Sequence, residues 1–125
     1  MPDGICHVWL GAFGSDEALD DYFEESHSTD ENAPINRFAA DQGLGFYDHD
    51  WVEAIRCAGS SLEDLVGSAS YSECYAEAVV CAARERELRA VDTIVVAFEN
   101  VVPAPVSVDA TGHRLSCLGA YAFAS

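Results

Sequence analysis

Two short runs of this 125-residue chain carry residue types that could take part in catalysis or metal binding, Cys6-His7 and Asp48-His49-Asp50. Cys6 and His7 are neighbours in a segment that reads as a strand, where adjacent side chains point to opposite faces, so they are not expected to act as a nucleophile and its base. Alternate carboxylates of an extended segment can share one face, so Asp48 and Asp50 could hold a hard metal. We favour the alternative, a solvated turn.

Other patterns typical of enzymes are missing. The chain has no glycine-rich phosphate loop and no His-x-x-x-His spacing. Its five cysteines are odd in number and never form Cys-x-x-Cys, which favours neither a disulfide framework nor a zinc knuckle. They are expected to be reduced and mostly buried, with Cys74 and Cys81 packed in the core on one face of a predicted helix. We therefore expect no catalytic residues, no metal and no cofactor.

Negative charge is the strongest chemical signal. The chain has 22 carboxylates against six basic side chains, all of them arginines, and a formal net charge of -16. Such a chain repels nucleic acid and anionic membranes and attracts basic partners. Twelve of the carboxylates lie between residues 14 and 53, where Arg37 is the only basic residue. A solubility or salt-adaptation origin predicts an even spread of charge, whereas a docking surface predicts this crowding.

The crowding is sharpest on a helix predicted for residues 16–25, with Ser15 as its N-cap. At 100 degrees per residue, one arc of this helix is apolar and includes Leu19 and Tyr22, while the other is wholly acidic. Four like-charged i,i+4 pairs on the acidic arc should cost about 1 to 2 kcal/mol together. Stability of the fold does not explain this arc, and binding does. The acidic residues are Asp16, Glu17, Asp20, Asp21, Glu24 and Glu25.

The remaining segments predict the scaffold that positions these side chains. Residues 5–13 are apolar on both alternating faces, as expected of a central strand covered on both sides. Further strands are predicted at 52–57, 93–98 and in a closing antiparallel meander, and helices at 35–42, at 60–66 and from Ser70 or Ser72 to about 87. This order predicts an α+β fold: residues 1–125 form a single domain with helices packed on one mainly antiparallel sheet.

Composition supports a folded chain and gives an expected location. Half of the residues are hydrophobic, which argues against wholesale disorder in spite of the charge. No apolar run is long enough to span a bilayer, and the first four residues lack the basic region of a secretory signal. We therefore expect a cytoplasmic protein.

Four segments carry a family resemblance: HVWLGAF at 7–13, LDDYF at 19–23, GFYDHDWVEA at 45–54 and SYSECY at 70–75. Together with the closing strand around 118–123, they resemble the immunity protein 22 family, small bacterial proteins of polymorphic toxin and polyimmunity loci. The resemblance implies an α+β immunity protein, not an enzyme, that neutralises a cognate toxin by binding it inside the producing cell. It supplies neither a catalytic residue set nor one fixed toxin.

The matching positions divide into two groups. Trp9 and Phe13 are expected in the core, and Gly11 is expected where backbones pack closely. The polar matches are better candidates for function, although caps and turn hydrogen bonds are an equal alternative for them. These polar residues are Asp48, Asp50 and Glu53.

Charge and resemblance together give a functional hypothesis. Many secreted toxins are nucleases with basic clefts, and an acidic face offered to such a cleft would block phosphate binding and speed encounter. The hypothesis makes the acidic arc of residues 16–25 the binding surface for a basic protein toxin, with Asp48, Asp50 and Glu53 as a possible second patch. The alternative function is a small enzyme or binding protein acting on a cationic ligand. The oligomeric state is left open.

Overall fold

A computed structural model describes residues 3–25, 33–88, 90–99, 101–110 and 112–124. Five strands form one antiparallel sheet in the order β2-β3-β1-β5-β4. The predicted α+β class is confirmed. The strands are β1 (Asp3–Ala12), β2 (Val52–Arg56), β3 (Thr93–Phe98), β4 (Val108–Ala110) and β5 (His113–Ala124). The helices are α1 (Asp16–Phe23), α2 (Arg37–Asp41), α3 (Leu62–Gly67) and α4 (Ala76–Glu85), with 3-10 turns at His49–Trp51 and Ser72–Cys74.

Strand β1 lies at the centre of the sheet and is covered on both faces, as its apolar pattern predicts. Val8 and Leu10 belong to a core cluster shared with α3 and α4. On the opposite face, Trp9 and Phe13 pack in a second cluster with α1 and α2. The Trp9 ring meets Phe38 of α2 edge-on, with 5.3 Å between ring centroids. The sheet therefore separates the acidic helix α1 from the α3–α4 layer.

Gly11 lies where β1 packs tightly against β5. A Cβ atom at this position would stand 2.5 Å from the carbonyl oxygen of Arg114 and 2.7 Å from Cδ2 of Leu115. Because the nearest atom belongs to the backbone of a paired strand, it cannot move aside without breaking the sheet register. The prediction that Gly11 permits close backbone packing is confirmed.

Gly11→Ala is expected to lower the free energy of unfolding by about 1 to 3 kcal/mol, because the added methyl group overpacks the sheet. Urea denaturation monitored by circular dichroism measures this change. Gly67→Ala is the matched control: its Cβ meets nothing within 4 Å, and alanine favours the helix, so stability should hold or rise by up to about 1 kcal/mol. Equal stability of the two variants would contradict the close packing.

The helix predicted from Ser70 or Ser72 begins later than expected. Tyr71 takes a left-handed conformation with φ 60°, and Tyr75, with φ -136° and ψ -7°, separates the 3-10 turn from α4. Cys74 is therefore not on the same helix as Cys81, and both side chains are exposed. The prediction that they pack in the core was wrong, because the helical phase was extended across this break. The face of α4 that is buried consists of Val79, Val80 and Ala83.

Candidate partner-binding surface

Helix α1 separates its apolar and acidic arcs as its sequence predicts, but it ends at Phe23, earlier than the predicted end at residue 25. Glu24 caps the helix in an extended conformation, and Glu25 lies beyond it. Ser15 caps the helix by accepting a hydrogen bond from the backbone N–H of Ala18 at 3.1 Å. Leu19 and Tyr22 are buried, and the Tyr22 hydroxyl donates to Asp41 of α2 at 2.6 Å. Burial and this carboxylate raise the pKa of Tyr22, so it stays a neutral donor. The helix is thus fixed with its acidic arc turned to solvent.

Two residues at the ends of the acidic arc have partners within the chain. Asp16 accepts from the Arg56 guanidinium at 3.1 Å, and Glu25, half-buried, lies 3.0 Å from Nδ1 of His49. The four carboxylates between these ends are exposed, and within the described part of the chain their side chains make no ion pair or hydrogen bond. Their charge is therefore uncompensated by described side chains. These four residues are Glu17, Asp20, Asp21 and Glu24.

The arginine that meets Asp16 also holds a structural carboxylate, Asp92, that the sequence analysis missed. Asp92 lies before β3 and accepts from the backbone N–H groups of Phe13 at 3.0 Å and Gly14 at 2.9 Å. It also accepts from the Thr93 hydroxyl at 2.8 Å and from Nε of Arg56 at 3.2 Å. Burial alone would raise the pKa of Asp92, but these four donors outweigh it, and the pKa is lowered.

The second predicted patch is only partly free for binding. Asp48 caps the 49–51 turn by accepting from the backbone N–H of Asp50 at 3.0 Å. Glu53 accepts from both the backbone N–H and the hydroxyl of Ser70, at 2.8 and 2.6 Å. The alternative of caps and turn hydrogen bonds thus accounts for the placement of Asp48 and Glu53. Asp50 is exposed, 3.5 Å from Nε2 of His49.

His49 connects the two predicted patches. One ring nitrogen contacts Glu25 beyond the end of α1, and the other faces Asp50. The solvated turn that the sequence analysis favoured for residues 48–50 is what forms, since Asp48 caps it and all three residues are exposed. No group of three or more His, Cys, Asp or Glu side chains able to hold a metal occurs among the described residues.

A cleft of about 330 Å³ lies beside this turn. It combines carboxylates with aromatic rings that come from four separate places in the chain. The sequence pattern indicates Asp50 and Glu53 but not the aromatic members, because exposed and buried rings cannot be distinguished in a sequence. The lining residues are Asp50, Trp51, Glu53, Ser70, Tyr71, Phe98, Glu99 and Phe123.

The nucleophile candidate Cys6 is held away from its neighbouring histidine. Cys6 is fully buried in the core cluster shared with α3 and α4, and His7 follows it on a strand, where successive side chains take opposite faces. Burial raises the pKa of the Cys6 thiol to about 11 and lowers the pKa of His7. The thiol is therefore protonated at neutral pH and is a poor nucleophile.

The fold and these surfaces define a small α+β protein that presents acidic side chains on one exposed helix. Residues 6–124 match the family described as Immunity protein 22, and the chain belongs to that family. The family indicates a toxin-neutralising role through binding of a toxin partner and is generally non-enzymatic. No curated protein and no solved structure matches the chain. Every helix in the described ranges is too short or too polar to cross a bilayer.

Proposed function

We propose that this protein neutralises a toxin with a basic surface by binding it through the acidic face of α1. The acidic face comprises Asp16, Glu17, Asp20 and Asp21 of α1, its C-cap Glu24, and Glu25 just beyond the helix. One observation carries the proposal: the four central carboxylates of this face are exposed and have no partner among the described side chains. Asp16 and Glu25, which contact Arg56 and His49, frame the face at its two ends.

The energetics of α1 support a role in binding. Two like-charged i,i+4 pairs lie within α1, Asp16 with Asp20 and Glu17 with Asp21, and each costs the isolated helix about 0.2 to 0.5 kcal/mol. The helix has no basic residue in its last turn to offset them. A basic partner removes this repulsion and gains charge-assisted hydrogen bonds to the same carboxylates. Relief of the repulsion within α1 therefore contributes favourably to the free energy of binding.

A nuclease is the toxin class that this chemistry fits best. A nuclease cleft presents lysines and arginines that neutralise phosphates. Carboxylates spaced along one helix can form ion pairs with those lysines and arginines and repel the nucleic acid at the same time. Binding in the cytoplasm of the producing cell would then protect its nucleic acids before the toxin is secreted.

The second patch adjoins the acidic face through His49 and extends the proposed surface. Asp50 is its exposed member. Asp48 and Glu53 add negative potential while holding the turn and the Ser70 backbone in place. We assign contact with the toxin to Asp50 first. Its carboxylate, unlike that of Asp48, does not cap the turn and can bind a cation without giving up a capping hydrogen bond.

The dependence of the association rate on salt tests the proposal. The toxin is first identified by capture on the full chain and then purified, and the association rate is measured by stopped flow. Steering by the acidic face predicts a rate that falls by about 10- to 1,000-fold as ionic strength rises from about 0.01 to about 1 M, where the Debye length shrinks from about 30 to about 3 Å. A rate independent of salt would remove the acidic face from the recognition step.

A further inference from the structure

The cleft of about 330 Å³ lies at one end of the sheet, on the side of the α3–α4 layer. Asp50 and Trp51 come from the turn before β2, and Tyr71 comes from the connection between α3 and α4. Phe98 and Phe123 come from the ends of β3 and β5 and belong to the core cluster on that side. The cleft is thus walled by four elements that the sheet topology brings together.

Aromatic rings form its inner wall. Tyr71 packs edge-on against Phe98 with 5.8 Å between centroids, and at a tilt against Phe123 with 5.4 Å. Phe98 and Phe123 are buried, but Tyr71 is 41% and Trp51 43% exposed, two of the few large hydrophobic residues that reach solvent. Each therefore keeps ring surface available to a ligand.

Three carboxylates accompany these rings, and none of the described residues that line the cleft is basic. Glu53 is fixed by its two hydrogen bonds to Ser70. The place of Glu99 depends on Gly4: a Cβ there would stand 3.0 Å from Oε1 of Glu99 and 2.6 Å from the Phe123 ring. Because Gly4 has no side chain, the Glu99 carboxylate and the Phe123 ring can pack directly over β1. Within the described part of the chain, the Glu99 carboxylate has no ion pair.

This combination selects for one chemistry. An apolar ligand would desolvate three carboxylates without offering any of them a donor, which is costly. A hard metal ion needs several oxygens around one point, and these carboxylates do not converge in that way. A guanidinium group fits both parts of the lining, because its plane stacks on aromatic rings and its edge donates to carboxylates.

We propose that the cleft binds an arginine side chain of the toxin, stacked on Trp51 and Tyr71 and hydrogen-bonded to Glu99 and Asp50. This inference rests on the proposed function, because it takes the toxin as the partner. It gives the two surfaces separate tasks: the acidic face of α1 accelerates encounter, and the buried arginine sets the lifetime of the complex. Arginine and aromatic residues are the side chains that most often dominate such interfaces.

A peptide experiment tests the cleft without the toxin. The probe is an acetylated, amidated Gly-Arg-Gly peptide, and the neutral control replaces arginine with its isostere citrulline. The arginine peptide should shift the indole N–H resonance of Trp51 in a saturable way, with a dissociation constant on the order of 1 mM, while the buried indole of Trp9 stays unchanged. Equal shifts with both peptides, or no shift, would overturn the inference.

Kinetics with the identified toxin give a second test. Trp51→Ala and Glu99→Gln should each raise the dissociation rate about 10- to 100-fold and leave the association rate within about threefold, because the acidic face still steers. Asp109→Asn, at an exposed carboxylate of β4, is the control and should change neither rate. An unchanged dissociation rate in Trp51→Ala and Glu99→Gln overturns the arginine site and leaves the proposed function standing. Failure of the full chain to capture any toxin overturns the proposed function itself, whereas the peptide test still judges the cleft.

Discussion

Changing Asp20, Asp21 and Glu24 together to lysine is expected to slow association with the toxin about 100- to 1,000-fold and, at the same time, to stabilise the protein. All three carboxylates are exposed on the acidic face. Reversing their charge removes the attraction that draws a basic surface to α1 and replaces it with repulsion. Stopped-flow association at low salt measures the loss, and protection of cells that express the toxin reports its consequence.

The gain in stability follows from the helix geometry. Within α1, the contacts of position 20 with Asp16 and of position 21 with Glu17 change from repulsive to attractive. Each of the two changes by about 0.4 to 1 kcal/mol, so the free energy of unfolding should rise by about 1 to 2 kcal/mol. Positive charge near the C-terminal end of α1 adds to this effect. A variant that is more stable and less active cannot owe its loss of function to misfolding.

A matched variant separates position from total charge. Glu73, Glu77 and Glu87 are exposed and belong to the α4 side of the molecule, so changing all three to lysine alters the net charge equally. Its association rate should fall far less than that of the α1 variant. If both triple variants lose the same factor, net charge rather than the acidic face governs encounter.

The elements that the sequence predicted well have signals within a few residues. Strand β3 has the predicted bounds of 93–98, since a run of β-branched residues between polar segments defines it locally. Helix α1 begins at Asp16 because Ser15 offers its hydroxyl as a cap. The central place of β1 follows from apolar residues on both faces, which only a strand covered twice can bury.

The features that escaped prediction depend on residues far apart in the chain. Asp50 and Glu99 line the same cleft because β2, β3, β1 and β5 are paired in the sheet. No spacing within the sequence predicts this proximity. The left-handed conformation of Tyr71 broke a helical pattern that looked continuous. The bonds of Asp92 to Phe13 and Gly14 likewise arise only once β1 and β3 are side by side.

Removing the carboxylate of Asp92 is expected to lower the free energy of unfolding by about 2 to 4 kcal/mol, since four donors lose a charged acceptor. The Asp92 and Arg56 side chains are only 16% and 14% exposed, so water replaces the lost partner poorly. Asp92→Asn preserves shape and one acceptor oxygen, and Asp92→Ala preserves neither. Urea denaturation at neutral pH should therefore rank wild type above Asp92→Asn and Asp92→Ala lowest. Two variants as stable as wild type would show that Asp92 does not hold β1 to β3.

The pH dependence of this loss identifies its electrostatic part. The pKa of Asp92 is lowered in the folded protein, so the unfolded chain binds the proton more tightly. The stabilisation is therefore fully present above the unfolded pKa of about 3.9 and disappears as pH falls through the lower folded value. The stability difference between wild type and Asp92→Asn should be largest near neutral pH and shrink on acidification below about pH 4. A stability difference between wild type and Asp92→Asn that stays constant to low pH would assign the effect to packing. A charge-assisted hydrogen bond is lost when its carboxylate acceptor is protonated.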